Sequence, residues 1–161
     1  METLQLKHIK GYLGTGLKGQ TKGYNDAIEC SLLTGIKDDD YYETEVIIET
    51  KMTNITAKRS ICIHGFKPYL HPLSSLTKEI THNGETFIPL VKYVESLGEP
   101  VYDFDELNLT DYENACLSML TTYEMRHQQD LEFLQGYHFD YQNLIELGLA
   151  ISHDEVNTLN K

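Results

Sequence analysis

A chain of 161 residues with 40% apolar and 24% charged side chains has the composition of a globular protein and is long enough to bury a core of its own. Its formal net charge of −12 is unevenly placed: residues 1–80 hold ten Lys/Arg and ten Asp/Glu, residues 81–161 three and fifteen. A half so rich in carboxylates repels phosphate backbones, which excludes direct DNA or RNA binding through it.

Met1 to Lys10 lacks the apolar stretch of a signal peptide, and nowhere do about 18 apolar residues run together, so a cytoplasmic protein without a membrane partner is expected. Leu4, Ile9, Tyr12 and Leu13 have loosely helical spacing, and the glycines at 11, 14, 16 and 19 turn that short helix into loops. Strand-like runs follow over Ile28–Leu33, Glu45–Thr50 and Ser60–Phe66, separated by loops at Lys37-Asp38-Asp39-Asp40 and Thr53-Asn54. Pro68 and Pro72 bracket an extended piece, then Leu73, Leu76 and Ile80 give a turn or two of helix. Asn83-Gly84 predicts a type I′ hairpin joining residues 80–82 to 85–88. Pro89 starts a helix whose apolar face is Leu90, Val91, Val94 and Leu97 and whose stop is Gly98.

Val101 to Leu109 reads as extended and acidic, and Thr110 with Glu113 forms a capping box that opens the clearest helix in the chain. Tyr112, Cys116, Met119, Leu120 and Tyr123 should face the core, with the helix running on through Leu131 and Leu134 to Gly136. A last helical piece spans Tyr141 to Leu147, and Ser152 to Glu155 caps a terminal turn. The expected fold is α+β: a small N-terminal antiparallel sheet or partial barrel and a C-terminal helical half. One domain over 1–161 is expected, β-rich through residue 88 and mainly helical and acidic over 89–161.

Motifs that carry chemistry are weak throughout. The early glycines fit neither dinucleotide nor phosphate-loop spacing and no strand precedes them. Glu124 and His127 make half of a di-iron helix motif without the second half. His71, His82, His138 and His153 stand singly, without the spacing that puts two imidazoles on one metal. Ser75 and Lys78 match one fragment of a β-lactamase-like site whose partner motifs are missing. Cys30, Cys62 and Cys116 read as reduced, buried core residues, with Cys116 on an apolar helix face where a thiol is inert. No catalytic, cofactor or metal site is expected.

Three blocks nonetheless carry a resemblance: residues 6–18 (LKHIKGYLGTGLK), residues 67–80 with 83–89 (KPYLHPLSSLTKEI and NGETFIP), and residues 138–151 (HFDYQNLIELGLAI). Together they resemble a family of short phage and prophage proteins of unknown function. Residues 19–66 and 90–136 carry no matching motif, and Gly11-Tyr-Leu-Gly-Thr-Gly16 departs from the family's Pro-containing version of that loop. The resemblance implies a phage accessory protein acting inside a bacterium, similar in size and charge to some anti-CRISPR inhibitors. It brings no catalytic residues with it.

Eleven tyrosines without a tryptophan set among carboxylates suit recognition of a basic protein. Tyr102, Asp103, Asp105, Glu106, Asp111, Tyr112 and Glu113 concentrate negative charge and aromatic area and are the expected partner-binding residues. The expected function is non-enzymatic inhibition of a host RNA-guided CRISPR nuclease, a basic nucleic-acid-binding protein. The alternative is a structural or replication accessory protein that docks on phage components.

Overall fold

Strand β3 (Glu45–Lys51) buries Val46, Ile48 and Thr50 and turns the alternate residues outward, the period-2 pattern of a sheet packed on one face. In the computed structural model, which describes residues 3–23, 27–37, 44–51, 55–122, 124 and 126–159, it is one of six strands in an open sheet. The others are β1 (Lys18–Lys22), β2 (Ile28–Lys37), β4 (Thr56–Cys62), β5 (Phe66–Leu70) and the two-residue β8 (Ile151–Ser152). Their order is β4-β3-β2-β1-β5-β8, antiparallel except for the parallel pairing of β5 with β8. The protein is α+β as expected, and its sheet is open rather than a partial barrel, with edges at β4 and β8.

The chain divides into two compact units, one made of Met1–Leu70 with Gln142–Lys161 and the other of His71–Tyr141. The first unit holds the sheet, helix α1 (Leu6–Ile9) and helix α5 (His153–Leu159), and it buries Ile9, Tyr12, Leu17, Leu33, Phe66, Leu70 and Leu144. Across the buried face of its sheet runs a ladder of hydroxyls, Thr21 to Ser31 at 2.8 Å and Ser31 to Thr50 at 2.7 Å. Each such bond satisfies a group that burial would otherwise penalise. The guanidinium of Arg59 donates to Glu29 at 3.0 Å and to the carbonyl of Lys22 at 2.9 Å. At Gly19 a side chain has no room, since a Cβ there would lie 2.5 Å from the Phe66 ring and 2.6 Å from the carbonyl of Lys67.

The second unit is a short hairpin, β6 (Ile80–His82) and β7 (Glu85–Phe87), followed by α2 (Pro89–Ser96), α3 (Asp111–Thr121) and α4 (Gln128–Gly136). Asn83 and Gly84 turn the hairpin with φ of 52° and 86°, as a type I′ turn requires. Its core gathers Leu76, Ile80, Leu90, Tyr93, Val94, Cys116, Leu120, Leu134 and Phe139. No helix among the described residues is long and apolar enough to cross a membrane.

Several expectations fail for local reasons. The single strand over 60–66 is two strands, broken by a 3-10 turn at Ile63–Gly65. The long helix from Thr110 to Gly136 ends at Thr121, because Thr122 is extended and Arg126 donates to the carbonyls of Leu120 (2.9 Å) and Thr121 (3.0 Å). A new helix then starts from His127, so Glu124 and His127 share no helix face. Residues 141–147 form turns: Asn143 is left-handed at φ 59°, and the amides of Leu149 and Ala150 both bond the carbonyl of Leu144. Cys30 is exposed and Cys62 half-buried, leaving Cys116 as the buried thiol. Tyr112, expected in the core, is 45% exposed. The loops proposed at Asp38–Asp40 and Thr53-Asn54, and Tyr123, lie outside the described residues.

Candidate functional site

The excess of carboxylates lies almost wholly in one of the two units. His71–Tyr141 contains three Lys/Arg and thirteen Asp/Glu, whereas the other unit contains ten and twelve. Two of those three cations serve the unit's own structure. Arg126 ties the end of α3 to the carbonyl of Tyr141 at 2.8 Å, and the ammonium of Lys92 lies 2.7 Å from both carboxylate oxygens of Glu85. That hydrogen bond holds the Lys92 ammonium above the usual lysine range.

Most of the predicted residues occupy one segment, 101–112, and the reason is its apolar spacing. Val101, Phe104 and Leu109 pack against the core cluster, which turns the residues between them outward. Tyr102 is 82% exposed and Leu107 95%, and Asp103, Asp105, Glu106 and Asp111 are exposed as well. The bends are local. Asp103 adopts a left-handed φ of 50°, the Asp105 carboxylate accepts from the amide of Leu107 at 3.0 Å, and Glu106 accepts from the Thr77 hydroxyl at 3.2 Å. Tyr102 and Tyr112 flank an open groove of about 290 Å³ whose other walls include Val94, Val101 and Thr110.

Glu113 lines the same groove but is largely withdrawn from its surface. It is 7% exposed, and its carboxylate accepts from the amide of Thr110 at 2.7 Å and from the Thr110 hydroxyl at 2.9 Å. Its carboxylate completes the helix cap and is withheld from solvent, so the binding role expected of it is replaced by a structural one. Asp111 sits in the first turn of the same helix, where the positive end of the helix dipole favours a carboxylate without covering it.

The structure also gathers residues that spacing kept apart. His71, His82 and His138, distant in sequence, come together: the His82 and His138 rings are 4.8 Å apart and those of His71 and His82 6.5 Å. Tyr137 and Phe139 pack against them, at 5.4 Å from His82 and 5.6 Å from His71. Only hairpin pairing and the return of the chain after α4 bring these rings together, so no periodicity could have found them. Among the described residues no group of three or more His, Cys, Asp or Glu is placed to hold a metal ion. No protein-family model, no curated protein and no solved structure matches this chain.

Proposed function

We propose that this protein is a phage-encoded, non-enzymatic inhibitor that binds a basic host nucleic-acid-binding protein, an RNA-guided CRISPR nuclease, through the outward carboxylates of its second unit. The observation that carries this reading is the count of thirteen Asp/Glu against three Lys/Arg within His71–Tyr141, with two of the three cations turned to internal bonds. Such effectors hold their guide heteroduplex in a positively charged channel, and a carboxylate-rich surface competes for that channel by the same electrostatics. Complementary charge speeds encounter and penalises wrong partners. Tyr102 and Tyr112 add aromatic area beside the charges, as binding surfaces commonly do. The resemblance of three sequence blocks to phage proteins supports the same setting, the cytoplasm of a bacterial host, and no cofactor is needed.

The test is capture of the tagged protein's partners from a host lysate with active defence systems, followed by target-cleavage assays with the recovered nuclease. A nuclease recovered at near-equal stoichiometry and silenced by the purified protein is the expected result. The fourfold variant Asp103→Asn, Asp105→Asn, Glu106→Gln and Asp111→Asn should lose about tenfold in affinity near 0.05 M salt and less near 0.5 M, where surface charges are screened. Asparagine is chosen at position 103 because it tolerates the left-handed backbone there. Undiminished inhibition by this variant would sink the charge argument, and recovery of phage proteins alone would assign the chain to phage machinery instead.

A further inference from the structure

A second groove lies on the same unit, on the side of α2 that carries Val91 and Glu95. Its floor is apolar: Phe87 from β7, Ile88 and Val91 around the start of α2, and Phe104 from the segment beyond it, enclosing an open space of about 380 Å³. Phe87 and Phe104 pack against the core cluster and remain only half-buried, so the groove has a hydrophobic surface that the unit itself does not cover. Glu79, Glu85 and Glu95 line the same groove and are exposed.

One cation already occupies part of it. The Lys92 ammonium lies 4.2 Å from the centroid of the Phe87 ring while bonded to Glu85, so a ring face and a carboxylate hold it together. Glu79 and Glu95 have no ion-pair partner among the described residues. The groove therefore presents an apolar floor and two carboxylates left over after its own lysine is paired.

We infer that this groove docks a basic amphipathic helix of a partner protein, its apolar side chains on Phe87, Val91 and Phe104 and its Lys or Arg heads at Glu79 and Glu95. An apolar floor alone would accept any apolar segment. The carboxylate rim, on a unit with thirteen acidic and three basic residues, selects against acidic segments and for basic ones. Long basic side chains suit such a site because their methylene stems cover apolar surface while their heads reach the rim. Helix-in-groove docking of this kind is a recurring mode of peptide recognition. The inference rests on the reading of the second unit as a binder of basic protein and adds where and how the partner is held.

The experiment is an NMR titration of the isotope-labelled full chain with an acetylated, amidated peptide, Leu-Lys-Lys-Leu repeated three times, and with its analogue in which every Leu is Ser. Shifts should centre on residues 79, 85–95 and 104, and the Ser analogue should bind at least about tenfold more weakly, because it keeps the charge and loses the apolar face. Glu79→Gln with Glu95→Gln, two exposed changes that leave the core untouched, should weaken the Leu peptide by about tenfold near 0.05 M salt. Equal binding of both peptides, shifts centred on residues 102–112 or on the sheet, or a groove already covered by a second copy in sedimentation would each overturn the inference. The two readings also fail separately. A nuclease captured undiminished by the Glu79/Glu95 variant and lost by the Asp103–Asp111 variant removes the groove alone; peptide docking in the groove without any captured nuclease removes the inhibitor alone.

Discussion

Asp130 shows how much one buried carboxylate can hold. It is 1% exposed and accepts the hydroxyl of Tyr93 from α2 and, at 2.6 Å, the amide of His127, the residue that caps its own helix. A carboxylate out of water needs such donors, and losing one leaves charge uncompensated. Tyr93→Phe should therefore destabilise the second unit by about 1–3 kcal/mol, measured by chemical denaturation at neutral pH. Burial, with the bond to Asp130, pushes the Tyr93 phenol above the usual tyrosine range, so the folded state keeps a proton that the unfolded chain releases. Its contribution is complete below the unfolded tyrosine pKa near 10 and is lost as pH rises beyond it. The variant should accordingly show a flatter loss of stability above about pH 10 than the parent; parallel curves would mean that Tyr93 does not carry this dependence. The cap of Thr110 by Glu113 was legible in sequence because both partners lie within one turn. The bond from Tyr93 to Asp130 was not, since it joins residues 37 positions apart.

Helix ends show the same contrast between local and distant causes. α2 closes as the spacing predicted: Gly98 is left-handed at φ 91°, its amide bonds Glu95, and the amide of Glu99 bonds Val94. α4 closes with the same pair of bonds, from His138 to Gln135 and from Phe139 to Leu134, but the left-handed residue is His138 at φ 59°. Gly136, read as the stop, is the last residue inside the helix. The two glycines should thus respond oppositely to alanine. Gly98→Ala should cost about 1–2 kcal/mol, since it forces a side chain into the left-handed region. Gly136→Ala, where a Cβ meets nothing within 4 Å, should gain about 0.5–1 kcal/mol. Denaturation midpoints decide both, and a loss at Gly136 would contradict its helical assignment. The ring of His138 beside His82 gives a packing reason for a histidine to stand where glycine is usual.

At the scale of the molecule, the second unit is an insertion whose two ends meet. The amide of His71 bonds the carbonyl of His138 at 2.8 Å, and the amide of Asp140 bonds the carbonyl of His71 at 2.8 Å. Ends pinned in this way, around a core of nine buried side chains, give residues 71–141 the means to fold alone, though at a size where stability is modest. With thirteen acidic residues against three basic ones, its excess carboxylates repel one another at low salt. Residues 71–141 expressed alone should melt cooperatively, with a midpoint that rises by several degrees between about 0.02 and 0.5 M NaCl as screening sets in. A non-cooperative melt would tie this unit's stability to the rest of the chain, and a midpoint indifferent to salt would show that its carboxylates are too far apart to repel.

What the amino-acid sequence determined unaided are the features whose causes lie within a few residues. The Asn83-Gly84 hairpin, the Pro89 start and Gly98 stop of α2, and the Thr110–Glu113 cap follow from backbone preferences and from side chains that reach their own turn. The excess of carboxylates needs no fold to be counted. Tertiary structure alone decided which chain segments share a unit: Ile151 and Ser152 return to the sheet, β6 and β7 join the helices, and Arg126 ends α3 by reaching back from beyond it. It also decided the use of carboxylates whose partners lie far along the chain, burying Asp130 under Tyr93 and leaving Glu79 and Glu95 at the rim of an apolar groove. Long-range packing assigns such roles, because whether a charge faces water, a partner or a buried donor depends on what the rest of the chain places beside it.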